Sequence, residues 1–526
     1  MKMIFENGNI ITMNEKQPSV EAIYVEDGKI MDMGETMKLV DRYPDAIIKD
    51  LKERTMLPGF IDAHSHFTGV ANSLRQCDLS QVTSYDEMVQ VMKNFMQEHH
   101  IPKGEWIIGA NYDHNFMKEK AHPNRHVLDL ISEDHPIVIS HASSHMGVVN
   151  TLGLKAANIS ENEKDLPSGK YGREKDGRVN GYMEESVFVE FQKHMPMPSF
   201  HEMVKLYKEA QHIYASYGIT TVQEGFATLP LFQLLKGASE VNTFYLDVIA
   251  YIDVNEKEDV YSLYPEYQNY HHNLRIGGYK TFLDGSPQGK TAWMQEPYAG
   301  SDDCGYPAMS EEALHQAIKK SLQNKHQLLI HCNGDAAASA YVNAYEQEIV
   351  NYPHADIRPV MIHAQLVKDE ELKRMKALHM MPSFFVAHTW YWGDIHFENF
   401  GQERASHISP AKSAEDLHLP YTFHNDSPVI APDVLKSVWC AVNRYTKTMK
   451  PIGFDQAISP KEAIAAVTKN AAYQYFEEAN KGELAIGKHA DFVILDQDPL
   501  TIDRLKIDKI NVFETWKDGT CIYHNN

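Results

Sequence analysis

Eight short apolar runs, rich in β-branched and aromatic residues, alternate with helix-like stretches between residues 57 and 480, and no other feature constrains the fold as much. Strands separated by helical segments predict βαβ units and a parallel sheet. Eight such units favour a closed (β/α)8 TIM-like barrel over an open doubly wound sheet. The runs are LPGFIDAH, YGITTVQEG, VNTFYLDVIAY, RIGGYKTFLD, HQLLIHC, RPVMIHA, HMMPSFF and LPYTFHND. We therefore predict an α/β protein with a barrel over residues 57–480.

Both ends of the chain carry shorter, alternating strand patterns. Residues 1–56 contain the hairpin signal Asp27-Gly28, and residues 481–526 contain Asp518-Gly519. Because isolated hairpins are marginally stable in water, we expect the strands of both ends to form one small β-sandwich. About 250 residues suffice for a barrel. The excess is assigned to residues 67–200, an insertion after the first strand that is predicted to cap the barrel mouth.

The charge, the hydropathy and the cysteine content indicate which classes of partner are excluded and where in the cell the protein is expected. The chain has 50 basic and 72 acidic residues and a net charge of −22, so nucleic acids and anionic membrane surfaces would be repelled. No apolar run is long enough to cross a membrane, and no signal-peptide core is found near residue 1. The five cysteines include no CxxC pair. These features predict a cytoplasmic protein with neither nucleic acid nor membrane as its partner.

Possible metal ligands occur where several predicted strands end. His64 and His66 close the first strand, and alternate residues of a strand share a face, so the two imidazoles can bind one cation. Later strands finish in or near residues of similar chemistry, namely Lys280, His331, His363 and Asp426. Barrel enzymes build their active sites at the C-terminal ends of the strands. These positions therefore favour an active site at that end.

Structural interpretations of the same residues remain open from the residues alone. The HxH pair is also compatible with packed or surface histidines at a strand end. Lys280 could be an unmodified amine paired with Asp284 on the same strand face. Asp426 lies in HNDSPV, a segment with turn chemistry.

Six segments, in this order, resemble a known family: PGFIDAHSH, YKTFLDGSPQGKTA, HCNGDAA, IHAQLV, HNDSPV and IGKHADFVILD. They span residues 58–496 and resemble the amidohydrolase superfamily, metal-dependent hydrolases built on a barrel with a small β-sandwich. Within it the chain is similar to amidohydrolase family 3, the YtcJ-like branch that includes N-substituted formamide deformylase. In that family an HxH pair and an aspartate bind one metal, two later histidines bind a second, and a carboxylated lysine bridges them. The resemblance implies that the ligands are His64, His66, Asp426, His331, His363 and Lys280.

The predicted activity follows from this resemblance and from the chemistry of the residues. We expect a metal-activated water to cleave a C–N bond, in an amide or an N-acyl or N-formyl group, of a small organic substrate. The ligand types suit divalent zinc first, as one or two ions. Burial would lower the pKa of Lys280, and its neutral amine could then react with carbon dioxide. Asp426 could accept a proton from water and pass it to the leaving nitrogen.

Two other functions remain open. The same site would also serve a deaminase or a cyclic amidohydrolase. A barrel without turnover would be a binding or regulatory protein, because a fold does not fix a function.

Four further residues are candidates for substrate contact. His145 and Glu184 lie in HASSHMGVVN and GYMEES, insertion segments that also resemble the family. Trp390 and Trp392 follow the seventh strand and could form an apolar wall. Packing explains each of them as well. By analogy with the family we expect a homodimer.

Overall fold

A computed structural model describes residues 2–114, 116–141, 146–166, 169–192, 194–195 and 198–525. The chain divides into two compact units, the first comprising Met1–Val70 and Tyr207–Asn526, the second Ala71–Leu206. Among the described residues no helix is both long enough and apolar enough to cross a membrane.

The strands of the described residues are named here in chain order. They are β1 (Lys2–Glu6), β2 (Asn9–Ile11), β3 (Ser19–Val20), β4 (Ala22–Glu26), β5 (Lys29–Gly34), β6 (Ile47–Asp50), β7 (Thr55–Pro58), β8 (Phe60–Ile61), β9 (Gln76–Asp78), β10 (Ile107–Tyr112), β11 (Ile137–His141), β12 (Met146–Val149), β13 (Gly169–Arg173), β14 (Val179–Glu185), β15 (Ile219–Ala227), β16 (Asp247–Asp253), β17 (Leu274–Phe282), β18 (Gln327–Cys332), β19 (Val360–His363), β20 (Met381–Phe384), β21 (Thr422–Phe423), β22 (Phe492–Leu495), β23 (Val512–Lys517) and β24 (Thr520–His524).

The α-helices are named in the same way. They are α1 (Thr36–Arg42), α2 (Phe67–Ser73), α3 (Tyr85–Glu98), α4 (Arg125–Asp129), α5 (Thr151–Ala156), α6 (Ser186–Gln192), α7 (Phe200–Ser216), α8 (Leu229–Glu240), α9 (Val260–Leu263), α10 (Glu311–Asn324), α11 (Asp335–Ile349), α12 (Asp369–Ala377), α13 (His388–Tyr391), α14 (Gly393–Ser406), α15 (Ala411–Asp416), α16 (Val434–Asn443), α17 (Pro460–Ala466) and α18 (Lys469–Gln474).

The largest sheet of the first unit has eight parallel strands in the order β8, β15, β16, β17, β18, β19, β20, β21. Each run that the sequence predicted as a barrel strand overlaps one of them. The terminal strands β8 and β21 have two residues each. Just beyond them, the amide of Asp426 donates to the carbonyl of His64 (3.2 Å), and the amide of His66 donates to that of Ser427 (2.7 Å). The predicted eight-stranded parallel sheet is therefore confirmed in a curled, barrel-like form whose edges meet after the strands end.

The strands of this sheet are apolar over most of their length because both of their faces are covered. In β16 the first six of seven residues are buried, and in β18 five of six are buried. A buried apolar cluster inside the unit includes Ile61, Ile249, Leu329, Ile362 and Tyr475. The potential ligands begin where these apolar segments end.

Two smaller sheets of the first unit contain the chain ends. One has the order β5, β4, β1, β6, and the other has the order β24, β23, β22, β7, β2, β3. Strands from the beginning and the end of the chain therefore share the second of these sheets. A single apolar cluster draws on both sheets and includes Phe5, Val25, Met56, Phe492 and Trp516.

Both predicted hairpin turns are present. Asp27 (φ 49°) and Gly28 (φ 79°) connect β4 to β5, and Asp518 (φ 48°) and Gly519 (φ 68°) connect β23 to β24. Two successive left-handed residues match the right-handed twist of an antiparallel pair, and Asp-Gly adopts them at low cost.

The second unit has its own sheet and core. The sheet order is β9, β10, β11, β12, β14, β13, with β9, β10 and β11 parallel and the remaining pairs antiparallel. Helix α3 begins after Ser84, whose side chain accepts a hydrogen bond from the Glu87 amide, and it buries Met88 and Met92. The predicted insertion, residues 67–200, overlaps this unit. Its position over a barrel mouth stays a prediction.

Candidate metal centre

Three side chains that follow barrel strands bring their ligand atoms together, and we call them the barrel metal centre: His64, His66 and Asp426. Asp426 Oδ1 lies 3.4 Å from His64 Nε2 and 3.4 Å from His66 Nε2. One ligand atom from each residue lies within 4.8 Å of the others. The ligand atoms of a tetrahedral zinc ion, each about 2.0–2.1 Å from the metal, lie about 3.3 Å apart. The spacing fits one such ion.

The carboxylate of Asp426 supplies a second sign of fit. Its Oδ1 is buried and makes no hydrogen bond within the described residues. A buried carboxylate oxygen without a donor is costly unless a cation or a donor meets it. Burial raises the pKa of Asp426, but the neighbouring His66, with weaker contributions from His424 and Lys280, leaves that pKa below its usual value. The group is therefore an anion at neutral pH.

The ring of His64 is oriented by Gln223. The amide nitrogen of Gln223 donates to the carbonyl of Ala63 (2.9 Å) and to the hydroxyl of Tyr475 (2.8 Å), so its oxygen is left to accept from His64 Nδ1 at 2.5 Å. The hydrogen of the ring then lies on Nδ1, and the Nε2 lone pair faces Lys280 Nζ at 3.2 Å and Asp426. Burial, followed by the proximity of Lys280, holds the pKa of His64 well below its usual value. His64 is neutral, which is the form that binds metals.

His66 lies between two carboxylates, unlike His64, whose Nδ1 faces the neutral side chain of Gln223. Its Nδ1 lies 3.7 Å from Glu224 Oε1, and its Nε2 faces Asp426. The other oxygen of Glu224 accepts a hydrogen bond from the Thr68 amide at 2.8 Å. Burial lowers the pKa of His66, but Asp426 and Glu224 outweigh burial and raise that pKa to about 9. Binding of a cation at Nε2 would therefore release a proton.

Lys280 is a fully buried amine in β17. Its Nζ lies 3.2 Å from His64 Nε2 and 5.2 Å from the centroid of the Phe282 ring. Burial lowers the pKa of Lys280 to about 7, although Asp426 acts in the opposite direction. A substantial share of this amine is therefore uncharged at neutral pH.

Asp284, the alternative partner of Lys280, is engaged by other groups. Its carboxylate accepts hydrogen bonds from the amides of Asn333 (2.9 Å), Gly334 (2.7 Å) and Trp293 (3.1 Å). It also lies 3.2 Å from His331 Nδ1. The side-chain amide of Asn333 lies 3.3 Å from His331 Nε2, so Nε2 accepts and Nδ1 donates. Asp284 thus orients the ring of His331.

His331 and His363 adjoin the barrel metal centre. Their ring centroids are 4.5 Å apart. His363 Nδ1 lies 3.0 Å from His424 Nε2, and His424 Nδ1 lies 2.8 Å from Ser383 Oγ. His363 Nε2 is 4.0 Å from Asp426 Oδ2. The six residues that the family resemblance implied as ligands therefore lie in one neighbourhood, with His331 and His363 beside the closer group of three.

Sequence reasoning missed three polar residues of this neighbourhood: Gln223, Glu224 and His424. Gln223 and Glu224 occupy buried positions of β15, where polar residues inside an apolar run were the available signal. His424 precedes Asp426 by two positions, so the alternation that paired His64 with His66 could have found it.

The two tryptophans proposed for substrate contact pack against neighbours in the first unit. Trp390 contacts Trp439 edge-on, with ring centroids 5.1 Å apart, and Lys436 Nζ lies 3.8 Å from the centroid of its ring. Trp392 lies 4.4 Å from the ring of His388. Their contact with substrate stays a prediction.

The other two candidates belong to the inserted region. Glu184 lies in β14 of the second unit, where its carboxylate accepts a hydrogen bond from the Tyr182 hydroxyl at 3.0 Å. His145 lies outside the described residues. A substrate contact by either residue stays a prediction.

Comparisons with known proteins show which family the chain belongs to. A family model described as the amidohydrolase family matches residues 48–523. The chain is 27% identical to the putative amidohydrolase YtcJ of Bacillus subtilis (strain 168), over 100% of both chains, and 24% identical to N-substituted formamide deformylase of Arthrobacter pascens, over 98% of this chain and 97% of that one. The crystal structure of an uncharacterized metal-dependent hydrolase from Pyrococcus horikoshii OT3 superposes with a TM-score of 0.80 at 25% identity, covering 96% of this chain and 99% of the other. The chain belongs to the amidohydrolase family.

Proposed function

We propose that this protein is a metal-dependent hydrolase that cleaves the C–N bond of an amide, in particular an N-acyl or N-formyl group, on a small organic molecule. Membership of the amidohydrolase family supports a hydrolase. The observation that carries the proposal is the convergence of His64, His66 and Asp426, with Lys280 3.2 Å from His64. A relative of this chain is named for deformylation of N-substituted formamides, which motivates the choice of bond.

The donor set suits a divalent metal, and zinc is our first choice because imidazole and carboxylate ligands are typical of it. A bound ion of this kind lowers the pKa of water and polarises a carbonyl group. His64 and His66 would hold it through Nε2, with Asp426 as the anionic ligand. His331 and His363 would hold a second ion, for which the side-chain amide of Asn333 would have to release His331 Nε2.

Lys280 is proposed to carry a carboxyl group. The lone pair of its neutral amine would form an N–C bond with carbon dioxide while one C=O π bond opens onto oxygen, and the proton lost from nitrogen would pass to solvent. The product is a carbamate anion, which would place carboxylate oxygens beside the metal ligands. The buried position of Nζ and its lowered pKa support this step.

Asp426 is proposed to move the proton of the reaction. Its carboxylate is ionised at neutral pH, and its Oδ1 lacks a hydrogen bond within the described residues. It could accept a proton from the attacking water and donate it to the leaving nitrogen. Gln223 and Asp284 would keep the rings of His64 and His331 in fixed orientations throughout.

The test is release of free amine from N-formyl and N-acyl amines by the zinc-loaded protein. Asp426→Asn should lower kcat by about 10²- to 10⁴-fold, the usual contribution of a general acid–base group. His212→Gln, at an exposed position of α7, is the matched control and should retain full activity. Ammonia release from aminated heterocycles, without amine release from amides, would favour a deaminase instead. An Asp426→Asn variant with unchanged turnover would contradict the proposal.

A further inference from the structure

The second unit contains a cluster of ligand-type side chains that the proposed reaction does not use. Strands β10 and β11 are parallel neighbours, and Tyr112 pairs in register with His141. Asp113 and His114 directly follow β10, and His141 is the last residue of β11. Because adjacent parallel strands end at the same edge, this register brings the three side chains together. We call Asp113, His114 and His141 the β10–β11 cluster.

The separations within the β10–β11 cluster match those of metal ligands. His114 Nδ1 lies 3.4 Å from His141 Nε2, and Asp113 Oδ1 lies 3.5 Å from His141 Nε2 and 3.8 Å from His114 Nδ1. One ligand atom from each residue lies within 4.8 Å of the others, as in the barrel metal centre. Three corners of a tetrahedral zinc site are about 3.3 Å apart. Small movements would bring these atoms to that spacing.

We propose that Asp113, His114 and His141 bind one divalent transition-metal ion, zinc by ligand type, through a ligand set that belongs entirely to the second unit. Two imidazoles and one carboxylate form a three-ligand set that leaves a fourth position for water or a ligand molecule. The side chains of Asp113 and His114 are each 25% exposed, so an ion can enter from solvent. The site is independent of the reaction proposed for the barrel.

Aromatic rings of the second unit pack against the β10–β11 cluster, and the Tyr112 ring lies edge-on to that of His141 with centroids 5.3 Å apart. The ring of His122 is tilted against that of His114, with centroids 3.8 Å apart, and Tyr112 OH lies 3.0 Å from His122 Nδ1. Both histidines of the cluster are therefore held against neighbouring rings of the same unit.

A third group of side chains has the spacing of metal ligands: His489, Asp491 and Asp518. Unlike the β10–β11 cluster, it already contains a neighbouring lysine that balances its negative charge. Lys517 Nζ lies 3.2 Å from Asp491 and 2.8 Å from Asp518, and His489 Nδ1 lies 2.5 Å from Asp518. A lysine already occupies the place of a cation there. That group therefore carries no metal proposal.

The experiment compares metal content after removal of metal by a chelator and dialysis of the full chain against Zn²⁺. His114→Gln and His141→Gln should each bind one ion per chain fewer than the wild type. His126→Gln, an exposed histidine of the same unit that pairs with Glu174, should bind as many as the wild type. The His64→Gln/His66→Gln variant should keep the ion of the β10–β11 cluster, which separates this proposal from the barrel site.

Two further measurements guard against misfolded variants. Asp113→Asn changes one atom of the side chain, and it should weaken Zn²⁺ binding while leaving the far-ultraviolet circular dichroism unchanged. In the wild type, an anomalous-scattering map of a Zn²⁺-soaked crystal should show a peak bounded by the three side chains. An unchanged metal count in folded His114→Gln and His141→Gln, or a map without this peak, would overturn the proposal.

Discussion

At the scale of single residues, the barrel metal centre depends on which nitrogen of each histidine carries hydrogen. Gln223 can only accept at His64 Nδ1, because its amide nitrogen already donates to Ala63 and Tyr475. Asp284 likewise accepts a hydrogen bond from His331 Nδ1, so the ring hydrogen of His331 also lies on Nδ1. Loss of a group that orients a metal-bound histidine typically lowers metal affinity or activity by about 10- to 100-fold. Substitution of the residues that orient the ligands, such as Gln223, therefore tests the role of these hydrogen bonds in metal binding.

Gln223→Leu should weaken zinc binding at the barrel metal centre by about 10- to 100-fold, because His64 would lose the acceptor that fixes its tautomer. Zinc affinity can be measured by competition with a chromophoric chelator. Gln211→Leu is the matched control, since Gln211 is also a buried glutamine that bonds backbone groups, at Tyr207 and Thr243. Equal zinc affinity in Gln223→Leu and Gln211→Leu would contradict this role of Gln223.

Carboxylation of Lys280 should be visible as mass. Native mass spectrometry of the metal-loaded protein is expected to show the added mass of one carbon dioxide, lost on acid denaturation because a carbamate is unstable to acid. Lys280→Met should lack this added mass. The same added mass in Lys280→Met would place the modification elsewhere, and its absence from the wild type would mean an unmodified lysine.

At the scale of elements, the ligands depend on close packing between strands that carry no bulky side chain at the contact. A Cβ added at Gly225, in β15, would lie 2.5 Å from His64 Cε1 and 2.8 Å from the carbonyl of Ser65. The ring of His64 could not keep its position beside such an atom. The glycine is therefore part of the geometry of the barrel metal centre.

Gly225→Ala should lower the free energy of unfolding by about 1–3 kcal/mol, as overpacking does, and should also weaken zinc binding. Chemical denaturation and chelator competition measure the two effects. Gly34→Ala is the control, because no atom lies within 4 Å of the Cβ it would add. Unchanged zinc affinity in Gly225→Ala would show that the His64 ring moves without cost.

Strands and turns could be predicted from the sequence wherever the local residue pattern alone determines the structure. The eight barrel strands lie in short runs rich in apolar, β-branched or aromatic residues, and the two hairpins are marked by Asp-Gly turns, so both were found. The contacts of Gln223 with His64 and of Glu224 with His66 depend on the register of β15 against β8. That register joins residues far apart in the sequence, so the local pattern does not predict it. The β10–β11 cluster was missed for the same reason, because it exists only once Tyr112 is paired with His141.

At the scale of the whole molecule, the two ends of the barrel sheet differ in chemistry. The ligand residues lie near or just after the C-terminal ends of the strands, whereas Asp247 and Arg275 lie at the starts of β16 and β17. There Glu477 lies 2.9 Å from Arg275 and 2.7 Å from Lys481, and the Lys481 ammonium also pairs with Asp247 at 2.5 Å. In barrels, polar residues at the strand starts serve stability and those at the strand ends serve function.

Glu477 makes stability depend on acid pH. Burial raises its pKa, but Lys481 and Arg275 outweigh burial and lower that pKa from 4.5 to about 2. A lowered folded-state pKa stabilises the protein above the unfolded value of 4.5, and this stabilisation is lost as the pH falls toward 2. The shift corresponds to about 3 kcal/mol.

Glu477→Gln should therefore be less stable than the wild type at pH 7 and should lose less stability between pH 5 and pH 2, by about 3 kcal/mol. Urea denaturation at a series of pH values measures both quantities. Glu403→Gln, at an exposed position of α14, should follow the wild-type profile. If the unfolding free energies of Glu477→Gln and the wild type change with pH in parallel, Glu477 is not the source of the acid-dependent stability.

The central claim is that His64, His66 and Asp426 hold one divalent ion together. Anomalous diffraction at the zinc edge, from a crystal of the zinc-loaded protein, measures this directly. We predict a peak about 2.0–2.2 Å from His64 Nε2, His66 Nε2 and an oxygen of Asp426. A zinc-loaded crystal without anomalous density between these three side chains would contradict the account.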